Sequence, residues 1–159
     1  MKIRTHSSGD FGWIISIHGE VYTREFGFDD SFEINIADKI VKYFAKKDVF
    51  NRIWIAEIEN KRVGSIAIRL IADNVGFINF VAVLEEFRGN GIADALMREV
   101  IRHAYQHEIS KLRLETYTCL VSARELYKKL GFNIVESAEI KQFGQELVRE
   151  FWELPLLPD

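Results

Sequence analysis

The spacing of apolar residues switches along the chain between a period of two and one of about 3.6, and the switches mark out its elements. Ile3 to His6 reads as a first strand that Ser7-Ser8-Gly9-Asp10 breaks, with Asp10 in the position of a helix cap. Trp13, Ile14, Ile17, Val21 and Tyr22 then recur at helical spacing over residues 11–26. Gly12, His18 and Gly19 lower the propensity of that helix, so tertiary packing has to hold it. After the turn Gly27-Phe28-Asp29, Asp30 and Glu33 form the pattern of a capping box. Phe32, Ile36, Ile40, Val41 and Phe44 carry the second helix from there to a stop near Asp48.

Strands follow. Arg52 to Glu59 alternates around Ile53, Ile55 and Ile58; Asn60-Lys61 joins it tightly to Val63–Ile71, and Ala72-Asp73-Asn74 turns the chain into Val75–Val83. Strands joined so closely are antiparallel. Ile92, Ala95, Leu96, Val100 and Ala104 form the apolar stripe of a helix over residues 91–107, and Lys111–Tyr117 is β-rich again. A strand, crossover helix, strand unit makes that last pair parallel. Asn133–Ser137 and Leu147–Leu154 are the final strands, and Pro155 and Pro158 stop the chain.

Composition narrows this picture. At 159 residues the chain is expected to be one domain, residues 1–159, and 48% hydrophobic and 13% aromatic content suit a packed core. Lys plus Arg is 21 against 24 Asp plus Glu, a net charge of -3 without any block of like charge, which argues against nucleic acid as a partner. No apolar run is long enough to cross a membrane and no signal-peptide core follows the amino terminus, so a cytoplasmic protein without a membrane partner is expected. Cys119 is the single cysteine; it forms no internal disulfide and reads as a small buried residue. His103 and His107 are the only histidines at an i, i+4 interval, and with no Glu-x-x-His pattern they read as a solvated helix face rather than a metal site.

The chemistry concentrates where the third strand of the meander runs into the next helix through Arg88-Gly89-Asn90-Gly91. Two glycines let the backbone approach a ligand, and the free amides of the first helical turn, with the positive end of the helix dipole behind them, suit a phosphate. A P-loop would need a lysine that is absent, and a dinucleotide fingerprint would need glycine or alanine where Asp94 stands.

Arg88-x-x-Gly91-x-Ala93 resembles the Arg/Gln-x-x-Gly-x-Gly/Ala signature of the GNAT acetyltransferase superfamily, and Ala123-Arg124-Glu125-Leu126-Tyr127 through Leu130-Gly131-Phe132 resembles that family's late helix and its exit. More narrowly, Gly9 to Trp13 with Tyr22, Glu25, Phe26 and Gly27, and the ending Phe143-Gly144 through Phe151-Trp152-Glu153-Leu154, are similar to the acetyltransferase half of bacterial fusions with a MarR-type winged helix. The resemblance implies an α/β (α+β) GNAT fold, a mixed and mostly antiparallel sheet of about six to seven strands with about four helices. It also implies acetyl-CoA as co-substrate.

By that resemblance the turn of Arg88, Gly89, Asn90, Gly91, Ile92 and Ala93 holds the pyrophosphate, the backbone of Ala82, Val83 and Leu84 lines up the pantetheine, and an amide near Val83 faces the thioester oxygen. Leu120 stands where many relatives carry a coenzyme-contacting asparagine, so that contact is either missing or replaced by Ser122. Tyr127 takes the place of a general acid for the departing thiolate; a phenol is protonated at neutral pH and donates without tuning. Glu115 is the first candidate for general base and Glu25 the second, while Tyr22, Glu25 and Phe28 belong to an aromatic and acidic segment expected to line the pocket for a cationic amine. Aromatic residues at such spacing are also ordinary core.

The activity expected is acetyl transfer to a small-molecule or peptide amine. A non-catalytic acyl-CoA sensor or regulatory module is the alternative. Phe151-Trp152 suits a homodimer through the last strands or a core equally well.

Overall fold

The computed structural model of the chain describes residues 1–156. Strands β1 (Lys2–Thr5), β2 (Arg52–Ile58), β3 (Lys61–Ala72) and β4 (Val75–Val83) form an antiparallel meander. β5 (Lys111–Tyr117) joins β4 in parallel, and the hairpin of β6 (Asn133–Gln142) and β7 (Gln145–Pro155) pairs with it through β7. The order across the sheet is β1-β2-β3-β4-β5-β7-β6. Helices α1 (Asp10–Phe26) and α2 (Ser31–Phe44) cover one face; α3 (Ile92–Gln106) and α4 (Val121–Lys129) cover the other. This is the mixed, mostly antiparallel seven-stranded sheet with four helices that the pattern and the resemblance lead one to expect.

Alternation along the central strands sorts the core into two halves. Ile53, Ile55 and Ala67 face α1 and α2 together with Ile14, Phe28, Phe32 and Ile40, whereas Trp54, Ala56, Ile66 and Ile68 face Leu96, Met97, Val100 and Ala104 of α3. Each fully buried aliphatic side chain of this kind contributes about 1.5–3 kcal/mol. At Gly19, which weakens α1 as an isolated helix, a Cβ would meet only the end of the exposed Glu33 side chain of α2.

Several local expectations change. Asp10 does not cap α1; its fully buried carboxylate accepts bonds from Arg4 (2.7 Å), the Ser7 amide (2.7 Å) and Arg62 Nε (2.7 Å), tying β1 and β3 to the start of the helix. The Asp30–Glu33 capping box does not form, because Asp29 Oδ1 instead takes the Ser31 amide at 3.0 Å, and α2 stops at Phe44 rather than near Asp48. His103 is core rather than solvated face, with Nε2 2.9 Å from the Phe50 carbonyl. The last hairpin is longer than expected. Phe143 (φ 54°) and Gly144 (φ 80°) form its two-residue turn, and β6 lacks an apolar alternation to announce its length because it is an exposed edge strand. Pro155 pairs with Lys111 inside β7, and Pro158 lies outside the described residues. No described helix is long and apolar enough to cross a membrane.

Candidate active site

β4 and β5 pair only from Val75–Ile78 to Lys111–Leu114. Beyond this point β4 stays with β3 as far as Val83 and β5 stays with β7 as far as Tyr117, so the two central strands part. A bulge in β4 accompanies the parting. Ala67 faces Asn79 and Ser65 faces Ala82, which leaves Phe80 and Val81 opposite Ile66 alone. Phe80 sits at φ 56°, a conformation costing a non-glycine residue about 1–3 kcal/mol, and is held there by a 2.7 Å bond from Ser65 Oγ to its carbonyl and by packing of its ring against Phe44 and His18.

The bulge fixes which backbone groups face the gap. Leu84 gives its amide to Val63 O (2.8 Å), so by strand alternation the main-chain groups of Val83 and Val81 point away from β3 and into the opening. Of the residues expected to guide a pantetheine-like chain, Ala82 and Val83 line the opening, whereas the Leu84 amide is already engaged. Val81 is an addition that only the bulge register reveals.

The glycine turn stands at the mouth of this gap. Gly89 (φ 79°) and Gly91 (φ 76°) are both left-handed, and a Cβ on either would meet nothing within 4 Å, so both face open space. The first bond of α3 runs from Ala95 N to Gly91 O (3.0 Å); the amides of Ile92, Ala93 and Asp94 ahead of it have no side-chain cap and present the positive end of a helix to the opening. Asn90 stiffens the turn by donating to the Phe87 (3.1 Å) and Arg88 (3.3 Å) carbonyls and does not itself line the opening. Arg88 reaches back to Val83 O (3.1 Å) and pairs with Glu25 (2.7 Å), bridging the turn to the end of α1. Together with Ser122, Ala123 and Leu126 of α4 these groups enclose a cavity of about 490 Å³, within the range that holds small molecules and cofactors.

A second cavity, of about 90 Å³, opens under α2 on the other side of the parting, and Tyr22, Val81 and Leu120 line both. Its walls include His18, Asn35, Lys39, Asn79, Glu115, Thr116, Tyr117 and Tyr127. Glu115 Oε1 accepts from the Tyr117 hydroxyl at 3.0 Å. Burial raises the Tyr127 phenol well above its ordinary range, with a further push from Tyr22, so Tyr127 carries its proton at any physiological pH; burial likewise pushes Tyr22 up to about 12. His18 is missed from sequence: its Nδ1 donates to Ile14 O (2.7 Å), burial holds it down to about 4, and the neutral ring keeps Nε2 as an acceptor. Thr116 Oγ1 is buried without a partner among the described residues.

Tyr127 is held from behind. Arg124, one turn earlier on α4, clamps the buried Glu150 of β7 with two bonds of 2.8 and 3.0 Å; Trp152 Nε1 donates to the same carboxylate at 3.1 Å, and the Trp152 ring meets Tyr127 edge-on. Other candidates fall elsewhere. Phe28 is 1% exposed in the aromatic core and lines neither cavity, and Glu25 sits at the first cavity, paired with Arg88, rather than under α2. Asp29 and Asp30 line neither cavity. Cys119 is exposed, contrary to expectation, because it belongs to the turn between β5 and α4 at the first cavity; partial burial raises its thiol, which keeps it protonated.

Comparison with known proteins agrees with this layout. The family model described as Acetyltransferase (GNAT) family matches residues 14–132, spanning both cavities. N-acetylaspartate synthetase of Xenopus tropicalis is 34% identical over 100 residues, 62% of this chain and 37% of that protein; its Homo sapiens counterpart is 39% identical over 80 residues, 50% of this chain and 26% of that protein. The chain thus spans well under half the length of these curated relatives. Among solved structures, yncA from Salmonella typhimurium, solved with its cofactor acetyl-CoA, superposes with a TM-score of 0.81 at 16% identity, covering 99% of this chain and 95% of that one. The ribosomal-protein-alanine N-acetyltransferase from Brucella melitensis superposes with a TM-score of 0.76 at 17% identity, covering 98% and 100%.

Proposed function

Because the chain belongs to the acetyltransferase (GNAT) family, we propose that it is an N-acetyltransferase that moves an acetyl group from acetyl-CoA directly to a primary amine. The observation that carries this is the parting of β4 and β5, which joins a large cavity built of free amides to a small one walled by titratable side chains. Acetyl-CoA supplies the thioester; the rest falls to the chain. The amides of Gly89 to Asp94 hold phosphate oxygens, with Ser122 beside them, and the outward groups of Val81 and the outward amide of Val83, whose carbonyl is taken by Arg88, take up the pantetheine as an added strand would. One outward amide of β4 stabilises the negative charge that develops on the thioester oxygen.

Tyr127 donates its phenolic proton to sulfur as the carbon–sulfur bond breaks and the carbon–nitrogen bond forms. Glu115, its carboxylate steadied by Tyr117, takes the proton that the amine loses. Tyr22, Val81 and Leu120, shared by both cavities, stand between the two substrates. The finer similarity to acetyltransferase halves of MarR-type fusions is part of this reading; it rests on the sequence motifs at Gly9 to Trp13 and Phe143-Gly144.

Calorimetric titration with acetyl-CoA, run beside thiol release across a panel of amines, amino acids and peptides, tests the proposal. Binding with acceptor-dependent release is the expected result. Binding without release on any acceptor would favour a sensor, and absence of binding would remove the coenzyme site altogether.

A further inference from the structure

The protein carries a net charge of -3, yet Lys39 lines the cavity under α2 and Arg69 stands behind the same wall at Phe77 and Asn79, within the field of Glu115. Lys39, on its wall, pairs with no carboxylate among the described residues, and neither does Arg69. Arg69 is held in place all the same. Its guanidinium lies 3.8 Å from the Tyr43 ring and 4.9 Å from that of Phe77, and its Nε donates to Asn79 Oδ1 at 3.1 Å. Two consequences follow from that one bond. The terminal nitrogens of Arg69 stay free, and Asn79, itself nine-tenths buried on the cavity wall, has its carbonyl occupied and its Nδ2 left as a donor. Thr116 adds a buried hydroxyl without a partner on the same wall. Among the described residues, Glu115 is the only carboxylate lining the cavity.

A cationic acceptor such as a polyamine would meet Lys39 on the wall and Arg69 just behind Asn79, while an anionic group would meet a set of donors. Guanidinium, ammonium and amide donors gathered at one wall are what a carboxylate needs. We propose that the acceptor is a small amine bearing a carboxylate, an amino acid in the simplest case, with the carboxylate held by Arg69, Lys39 and Asn79 and the amine directed past Glu115 towards the gap between β4 and β5. This rests on the acetyltransferase reading and sets its substrate class.

The test is acceptor-dependent thiol release from acetyl-CoA with aspartate, glutamate and alanine, against alanine amide, asparagine amide and putrescine, for the wild-type protein and for Arg69→Gln and Lys39→Glu. Carboxylate-bearing amines are expected to be preferred, and each substitution to raise their KM by about 10- to 100-fold, the size of one charge-assisted hydrogen bond, with the dissociation constant of acetyl-CoA unchanged. Lys39 is only half-buried on α2, so its variant remains informative if Arg69→Gln fails to fold. Preference for putrescine or for the amides, or variants whose KM for aspartate matches wild type, would overturn the carboxylate assignment and leave the acetyltransferase intact. Absence of release on every acceptor would remove both.

Discussion

The cavity ahead of α3 and the cavity under α2 share three residues and one gap in the sheet, but they are made of different material. The first presents backbone: outward groups of Val81 and Val83, left-handed Gly89 and Gly91, and the open amides of α3. The second presents side chains from α1, α2, β4, β5 and α4. A site made of amides recognises what every use of the fold shares, a phosphate and an extended chain. One made of side chains can change its ligand by substitution without disturbing the sheet, so specificity is expected to reside under α2.

The largest effect that would sharpen this contrast belongs to Tyr127, on the wall of the second cavity. Tyr127→Phe should lower kcat by about 1,000-fold, in the range of a lost general acid, and shift the calorimetric affinity for acetyl-CoA by less than about two-fold. Equal turnover would take Tyr127 out of the mechanism and leave it a core residue against Trp152 and Phe132.

Acid should distinguish the halves next. His18 is held down to about 4 by burial, so the unfolded chain binds a proton the folded one refuses, and stability should fall as pH drops from about 6.5 towards 4, by about 3 kcal/mol in all. Asp10 behaves differently. Burial alone would raise it, but bonds from Arg4, the Ser7 amide and Arg62 bring it down to about 2, so its contribution, about 2 kcal/mol, is present above the ordinary aspartate value and is lost between about pH 4 and 2. Burial also holds His6 and His103 down, so urea midpoints measured across pH should show both phases, and His18→Gln should shrink the upper one without abolishing it and leave the lower one unchanged. A profile with no loss between pH 6.5 and 4 would mean that His18 is more hydrated than its packing implies.

Smaller effects are expected on the backbone side. Gly89→Ala, whose new methyl meets nothing in the fold, should weaken acetyl-CoA by about 10-fold while costing about 1 kcal/mol of stability for the left-handed backbone. Arg88→Ala should weaken it only about two- to three-fold, since the Arg88 guanidinium is engaged by Val83 O and Glu25. A drop of a hundred-fold for Arg88→Ala, with Gly89→Ala silent, would reverse the contrast and make the first cavity a side-chain site.

The same contrast explains what could be read from the chain. The glycine turn was legible because left-handed positions ahead of a helix demand glycine at fixed spacing, and seven strands and four helices followed from periodicity and the family pattern. The bulge was not legible: Phe80 takes a left-handed conformation with no glycine to signal it, so Val81 was not recognised as facing the gap. Lys39, Arg69 and Asn79 are separated by up to 40 positions in sequence and look like ordinary polar residues of a helix and two strands. Only the fold brings Lys39 and Asn79 to one opening, with Arg69 bonded to Asn79 behind it. Glu25 and Phe28 lay near the right segment, but Glu25 turns towards Arg88 and Phe28 into the aromatic core.

Amide-resolved NMR titration tests the two-cavity account most directly, with acetyl-CoA added first and a carboxylate-bearing amine such as aspartate second. The account predicts that acetyl-CoA shifts the amides of Val81 to Val83 and Gly89 to Asp94, and that aspartate then shifts those around Lys39, Arg69, Asn79 and Glu115. Shifts from acetyl-CoA that avoid the β4 edge and the glycine turn, or an acceptor response confined to the Glu25 side of the gap, would contradict it.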